Sequence, residues 1–485
     1  MERVKRRKKM KRMKFKAILI LALFGFTLNA VATVKPASIF TDHMVLQQQS
    51  NVGIWGWAKP SSSVKIITSW NKKSYTAHAD ETGKFKIKVL TPGAGGPFEI
   101  SLNDGESLVL KDILIGEVWF CGGQSNMEMP MKGFKSQPVV GSNEVILKSR
   151  NPNIRLYTVP RSSMTTRQDN SKPSEWKLAG PETVANFSAT AYFFGSLLSE
   201  MLNVPIGLVH DSYGGSSIEA WMSPDDLKPF PEINVPLKTD TIKEVSRTPT
   251  TLYNGMLYPV IGYGIRGAIW YQGESNYTRP AQYEALFPAM VSNWRKAWDN
   301  GEFPFYYAQI APYNYAALPE NANRQYNSAL LREAQRHSLA KIPNSGMAVL
   351  MDIGEEKSIH PANKKQGGLR LAYLALAQTY GLKGFGYASP NYESLTIDKD
   401  KAVVKFQNVA NGLTSFGKEL RLFEIAGADK KFYPAKAKIT GSSVTIFADE
   451  VKTPVAVRYA FTDFAVADLF GNDGLPVSSF RTDNW

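Results

Sequence analysis

The run Ile113-Leu114-Ile115-Gly116-Glu117-Val118-Trp119-Phe120 and, one residue later, the turn Gly122-Gly123-Gln124-Ser125-Asn126-Met127 decide the fold. A short run that is apolar almost throughout lacks the alternation of a strand with one wet face, and reads as a strand covered on both sides. Similar runs recur at Gly207-Leu208-Val209, Gly267-Ala268-Ile269-Trp270, Tyr306-Tyr307-Ala308-Gln309-Ile310 and Ala348-Val349-Leu350-Met351. Between them lie stretches with apolar residues three and four apart, over Ala189 to Leu202, Ala281 to Trp298, Asn323 to Ser338 and Lys364 to Tyr380. Buried strands alternating with amphipathic helices predict an α/β domain built on a parallel sheet with helices on both faces.

Outward from this core the texture changes. Residues 33–111 hold short alternating stretches, such as Val52-Gly53-Ile54-Trp55-Gly56-Trp57 and Val64-Lys65-Ile66-Ile67, punctuated by Lys59-Pro60-Ser61 and Glu81-Thr82-Gly83. That pattern predicts an all-β domain. A second one is expected over residues 389–485, from Ala402-Val403-Val404-Lys405-Phe406, Ser443-Val444-Thr445-Ile446-Phe447 and Val455-Ala456-Val457-Arg458-Tyr459. The α/β domain then spans residues 112–388.

The chain has 485 residues and a formal charge of +14. Ten of the positive charges fall between Arg3 and Lys16 against the single Glu2, which leaves about +5 spread without blocks over the remainder. The charge therefore gives no argument for a nucleic-acid partner. The basic segment runs into the apolar stretch Ala17 to Leu28 and then Ala30-Val31-Ala32, the three parts of a secretory signal peptide over residues 1–32, with cleavage expected after Ala32 and an exported, periplasmic or secreted product. No stable membrane span is expected once it is removed, because the apolar stretch is shorter than the ~20 residues a spanning helix needs. Cys121 is the only cysteine, which excludes an intramolecular disulfide and a thiolate metal cluster.

In an open α/β sheet the site lies beyond the carboxyl ends of the strands, so the loops that end the apolar runs are where chemistry is sought. Ser125, between small and polar residues at a strand-to-helix turn, can present its hydroxyl and its own N–H to a substrate, although a helix N-cap would use the same residue. In Asp211-Ser212-Tyr213-Gly214-Gly215-Ser216-Ser217 the paired glycines can bring backbone close to a ligand and aim an N–H at a developing oxyanion; a tight turn explains Gly214 equally well. Trp270-Tyr271-Gln272-Gly273-Glu274-Ser275-Asn276 crowds polar side chains onto a strand end, which calls for hydrogen-bond partners or a ligand. Glu219, Trp221 and Glu274 are candidates to line a pocket. The fourth loop is Asp352-Ile353-Gly354-Glu355-Glu356-Lys357-Ser358-Ile359-His360-Pro361. A serine hydroxyl needs a base, and of the five histidines only His360 combines a loop position, the right sheet edge and nearby carboxylates, with His210 second.

Taken together, these loops resemble the sequence blocks of the SGNH or GDSL-type hydrolases, and most of all their sialate O-acetylesterase branch. The resemblance extends to Ile39-Phe40-Thr41-Asp42-His43-Met44-Val45-Leu46-Gln47 at the front and to Pro454-Val455-Ala456-Val457-Arg458-Tyr459 and Gly474-Leu475-Pro476-Val477-Ser478-Ser479-Phe480-Arg481 at the end. It implies a flavodoxin-like core and a serine esterase that uses neither metal nor cofactor. Ser125 becomes the nucleophile and His360 the base; the backbone N–H groups of Ser125 and Gly215 become oxyanion donors, joined by Gln272 first and Asn276 second.

One departure matters. These hydrolases commonly carry an Asp three residues before the histidine, where this chain has Lys357, which cannot accept the imidazole N–H. Asp352, Glu355 and Glu356 are local replacements, Asp352 preferred, and a Ser–His dyad aided by a backbone carbonyl is the other option. The implied substrate is an O-acetylated sialic acid. Acetylated xylan or another polysaccharide, and a glycan-binding protein without turnover, are the alternatives.

Overall fold

In the computed structural model, which describes residues 34–318, 321 and 327–485, one strand organises the molecule. It runs from Ser107 to Gly123, longer at both ends than its apolar run. Its first half pairs antiparallel with Gly95–Asn103 and parallel with Val45–Gln47, within the N-terminal β region. Its second half lies between the parallel strands Ile206–Ser212 and Gly267–Tyr271. The expected boundary between residues 111 and 112 thus falls inside a continuous strand. The 1–32 segment lies outside the described residues, as do positions 323–326 of the helix expected from Asn323; the described helix there is Ala329–Lys341.

Five strands form the core in the order Ile206–Ser212, Ser107–Gly123, Gly267–Tyr271, Phe305–Ala308, Ser345–Ala348, all parallel. In chain order this is 2-1-3-4-5, the flavodoxin-like arrangement, whose switch point falls on either side of the first strand. Asn151–Thr158 and Lys177–Ala179 extend the sheet at one edge. Alternation along the first strand feeds two cores: Val118 and Phe120 on one face, Trp119 and Cys121 on the other. Phe120 meets the edge of Trp294 from helix Pro280–Trp298, with ring centroids 5.6 Å apart; Trp119 meets Phe194 from helix Ala189–Leu202 at 5.0 Å. Such edge-to-face pairs add about 0.5–1.5 kcal/mol each beyond the area they bury. The helix Ala189–Leu202 begins where Ser188 Oγ accepts the Ala191 N–H and ends at Asn203 in the left-handed region.

The C-terminal region is all-β. One four-stranded sheet contains Asn391–Asp398, Lys401–Gln407, Ser443–Phe447 and Lys436–Thr440; a second contains Phe432–Pro434, Phe423–Ala426, Ala456–Tyr459 and Phe480–Arg481. It is tied to the core by the buried Arg332, which donates to Ser479 Oγ at 3.1 Å and to the Asp463 carbonyl at 3.3 Å. No described helix is long and apolar enough to cross a membrane.

Gly116 marks the tightest backbone approach in the central strand. A Cβ there would lie 2.0 Å from the Pro205 carbonyl oxygen, whose neighbour Glu117 takes that same oxygen as its N–H acceptor at 2.8 Å. Gly116→Ala is expected to force the Ile206–Ser212 strand away and to destabilise the fold by about 1–3 kcal/mol, read as a lower midpoint in urea unfolding.

Candidate active site

The three loops at the switch point converge. Ser125 opens a single helical turn, Ser125–Glu128, directly after the first strand. Beside it lies the turn that follows the second strand: a methyl carbon placed on Gly214 would sit 3.6 Å from Ser125 Cβ. The Gly214 N–H donates to Glu128 Oε2 at 2.9 Å, which locks this turn to the serine's helical turn. Gly215 holds φ +73°, a left-handed conformation that favours glycine. Among the described residues neither the Ser125 N–H nor the Gly215 N–H has a protein acceptor, so both donors are open to a ligand oxygen.

His360 arrives from the loop after the fifth strand. Its Nε2 lies 2.8 Å from Ser125 Oγ, and its Nδ1 lies 2.6 Å from Gln137 Oε1. An amide carbonyl only accepts, so Nδ1 carries the proton, Nε2 is bare, and the serine hydroxyl donates to it. The loop that carries Gln137 clamps the histidine further: Phe134 packs edge-on against the imidazole at 5.5 Å, and the Val140 N–H donates to the Ala362 carbonyl at 2.9 Å. Burial, reinforced by the cationic Lys364, lowers the His360 pKa to about 4. The ring is therefore neutral across the neutral range, as a base must be.

Asp352, the expected orienting acid, does not contact His360. Both of its oxygens are gripped by Arg370, at 2.6 and 2.7 Å, in a two-pronged pair that fastens the strand end to helix Lys364–Leu374. Glu355 accepts the Ala362 N–H at 2.7 Å and shapes the histidine loop from its backbone. The uncharged Gln137, 223 residues away in the chain, occupies the place an acid was expected to hold. His210 is buried, with its ring edge-on to Phe187 at 5.5 Å, and makes no hydrogen bond to Ser125 among the described residues.

Five further expectations are corrected by hydrogen bonding and burial. Gln272 Nε2 donates to the Ser216 carbonyl at 3.1 Å and to Asn276 Oδ1 at 2.8 Å. Asn276 in turn donates to Glu219 Oε2 at 3.0 Å and accepts the Ile218 N–H at 3.0 Å. These amides brace the turn that carries Gly215 from beneath, which commits the Gln272 protons elsewhere than an oxyanion. Glu219 is buried and paired with Arg279 at 2.6 Å; Trp221 is wholly buried, edge-on to Trp270 and bonded to Ser216 Oγ at 2.9 Å. Glu274 is also buried, and its Oε1 accepts from Asn126 Nδ2 at 2.5 Å. None of Glu219, Trp221 and Glu274 is exposed to meet substrate, because packing behind the loops needs their bulk and hydrogen bonds.

Several residues were not anticipated. Asn126, next to Ser125, is held between Glu274, the Ile359 carbonyl and Lys364 Nζ, which joins the first, third and fifth strand ends around the serine. Burial pushes the Glu274 carboxyl up and lowers the Lys364 ammonium to about 7. Gln124 Oε1 accepts the N–H groups of Gly273 and Ser275 at 3.2 and 3.3 Å. Asn126 and Gln124 flank the serine in sequence; nothing in the sequence around Gln137 or Lys364 distinguishes them.

A flavodoxin-like sheet with a paired serine and histidine at its switch point defines an SGNH-type hydrolase. A family model described as "Carbohydrate esterase, sialic acid-specific acetylesterase" matches residues 115–376. The sialate O-acetylesterase of Homo sapiens is 29% identical over 469 residues, covering 88% of this chain and 87% of that protein; the one of Mus musculus is 28% identical over 526 residues, covering 91% and 93%. The crystal structure of a carbohydrate acetylesterase from Xanthomonas citri superposes with a TM-score of 0.84 at 35% identity, covering 93% of this chain and all of that one. The chain belongs to the sialic acid-specific acetylesterase family of carbohydrate esterases, and it is an ester hydrolase.

The His360 environment makes a pH prediction. Only neutral imidazole can take the serine proton, so kcat/KM on an aryl acetate should hold as pH falls and be lost only near pH 4. Gln137→Glu puts a carboxylate on the Nδ1 side, favours imidazolium and moves that acid limb to higher pH. Gln137→Ala leaves the limb low and reduces kcat by up to about 100-fold through loss of ring orientation.

Proposed function

We propose that this enzyme removes O-acetyl groups from sialic acids through an acyl-enzyme on Ser125. The observation that carries the mechanism is the 2.8 Å contact between His360 Nε2 and Ser125 Oγ, with Gln137 on the far nitrogen. His360 takes the hydroxyl proton as Ser125 Oγ attacks the acetyl carbonyl. The carbonyl electron pair moves onto oxygen, and the resulting oxyanion is held by the N–H groups of Ser125 and Gly215. The tetrahedral adduct collapses, the C–O bond to the sugar breaks, and the His360 imidazolium returns its proton to the departing sugar hydroxyl. Water, deprotonated by the same histidine, then attacks the acetyl-serine; the acyl C–O bond to Ser125 Oγ breaks, Oγ takes the proton back from His360, and acetate leaves.

Gln137 fixes the tautomer without supplying negative charge, so the imidazolium formed in each step is stabilised less than in a triad with an acid. The adjacent Lys364 adds to that cost. The sialic acid assignment is supported by the related proteins named as sialate O-acetylesterases. Residues 1–32 are read as a secretion signal, so that the working enzyme is exported, with β regions before and after the catalytic sheet.

The test is acetate release from O-acetylated sialic acid and from acetylated xylan by the wild type, Ser125→Ala and His360→Ala. The expected result is turnover of the sialate, lowered by about 10,000-fold or more in either variant. Turnover of xylan alone would move the substrate to a neutral polysaccharide. Retained turnover in Ser125→Ala would overturn the acyl-enzyme.

A further inference from the structure

An exposed cation stands beside the nucleophile and plays no part in the reaction just described. Arg161 follows the Asn151–Thr158 strand and has 54% of its side chain exposed. Its Nε donates to Glu128 Oε1 at 2.7 Å, and its guanidinium carbon lies 4.5 Å above the Tyr213 ring. A methyl carbon placed on Gly214 would lie 3.9 Å from Arg161 Nη2 and 3.6 Å from Ser125 Cβ, so the guanidinium and the serine flank the same glycine. Glu128 cannot turn further toward the arginine, because its other oxygen takes the Gly214 N–H and only 14% of its side chain is exposed. Among the described residues Arg161 Nη1 has no hydrogen-bond acceptor. The guanidinium is held by Glu128 along one edge and by Tyr213 across one face, which leaves the remaining edge open on the solvent side.

We infer that Arg161 binds the carboxylate of the acetylated sugar, so that the enzyme selects anionic monosaccharides over neutral ones. This deepens the sialic acid reading and rests on it. A guanidinium edge matches a carboxylate in a two-pronged, charge-assisted hydrogen bond, and a cation already oriented by an aromatic face and a carboxylate loses little freedom when it binds. Sialic acids carry a carboxylate on the same monosaccharide as their acetyl esters. A fixed cation one glycine away from the nucleophile fits that spacing, because the carboxylate can be held while a side-chain or ring ester reaches Ser125. The competing role for Arg161 is to brace the Gly214 turn through Glu128.

The experiment compares three substrates, namely O-acetylated sialic acid, its carboxyl methyl ester and an aryl acetate, on the wild type, Arg161→Gln and Arg161→Lys. The wild type should show a lower KM for the acid than for the methyl ester. Arg161→Gln should raise KM for the acid at least about tenfold more than for the methyl ester, with kcat changed far less, and Arg161→Lys should fall between. Equal losses on all three substrates would assign Arg161 to bracing and overturn the inference while leaving the sialic acid reading intact. A wild type indifferent to methylation overturns it as well, even if the variants fold poorly. Failure of the wild type to hydrolyse the acid, with the aryl acetate turned over, overturns the sialic acid reading and the inference together.

Discussion

A single continuous strand has to satisfy two different sets of neighbours, and the remainder of the molecule is arranged around that constraint. Where Ser107–Gly123 passes from the N-terminal β region into the parallel sheet, it buries Glu117. An ionised carboxylate at such a place is tolerated only if its oxygens are fully engaged. Here Arg266 donates to both of them at 2.7 and 3.0 Å, Gln48 at 2.7 Å and Tyr380 at 2.8 Å. Burial alone would raise the carboxyl's pKa, and Arg266, Gln48 and Tyr380 together outweigh it and hold it below the usual range. Gln48 comes from the N-terminal β region, Arg266 from the entry to the third core strand, and Tyr380 from the end of the last core helix. One carboxylate thus ties together segments far apart in the chain, and it does so six residues before the strand delivers the turn that carries Ser125.

Beyond that strand end, the site is built in two layers. The layer open to a ligand is small: the Ser125 hydroxyl paired with His360, two backbone N–H groups without protein acceptors and the exposed edge of Arg161. The layer behind it is rich in amides and carboxylates, including Gln124, Asn126, Gln272, Asn276, Glu219 and Glu274, whose hydrogen bonds join the loops to one another. This division follows from solvation. A backbone N–H can address an oxyanion only if its turn is rigid, and the loops that carry it expose polar backbone which side chains must satisfy. The conspicuous polar residues of these loops therefore serve as supports. The pairing of His360 with Gln137 belongs to the same economy of charge: in a buried pocket that already contains Lys364, a neutral partner fixes the tautomer without a further buried ion.

The class of fold, the sheet edge that carries the chemistry, and the serine and histidine that meet there can all be read from the residues alone. The apolar runs are uniform because both faces of each strand are covered, and that composition is visible without coordinates. Ser125 and His360 were legible because strand-end loops are local features and because histidines are scarce in this chain. Which side chains point inward follows only from the packing of the folded chain. Trp221, Glu219 and Glu274 have the composition of a pocket, yet they lie behind it; Asp352 has the charge and proximity of a triad acid, yet Arg370, on the same helix as Lys364, captures it. Gln137 and Arg161 reach the site from segments whose local sequence carries no mark of it. Hydrogen-bond partners depend on side-chain direction and on loops brought together across hundreds of residues, and neither quantity is encoded in a window of sequence.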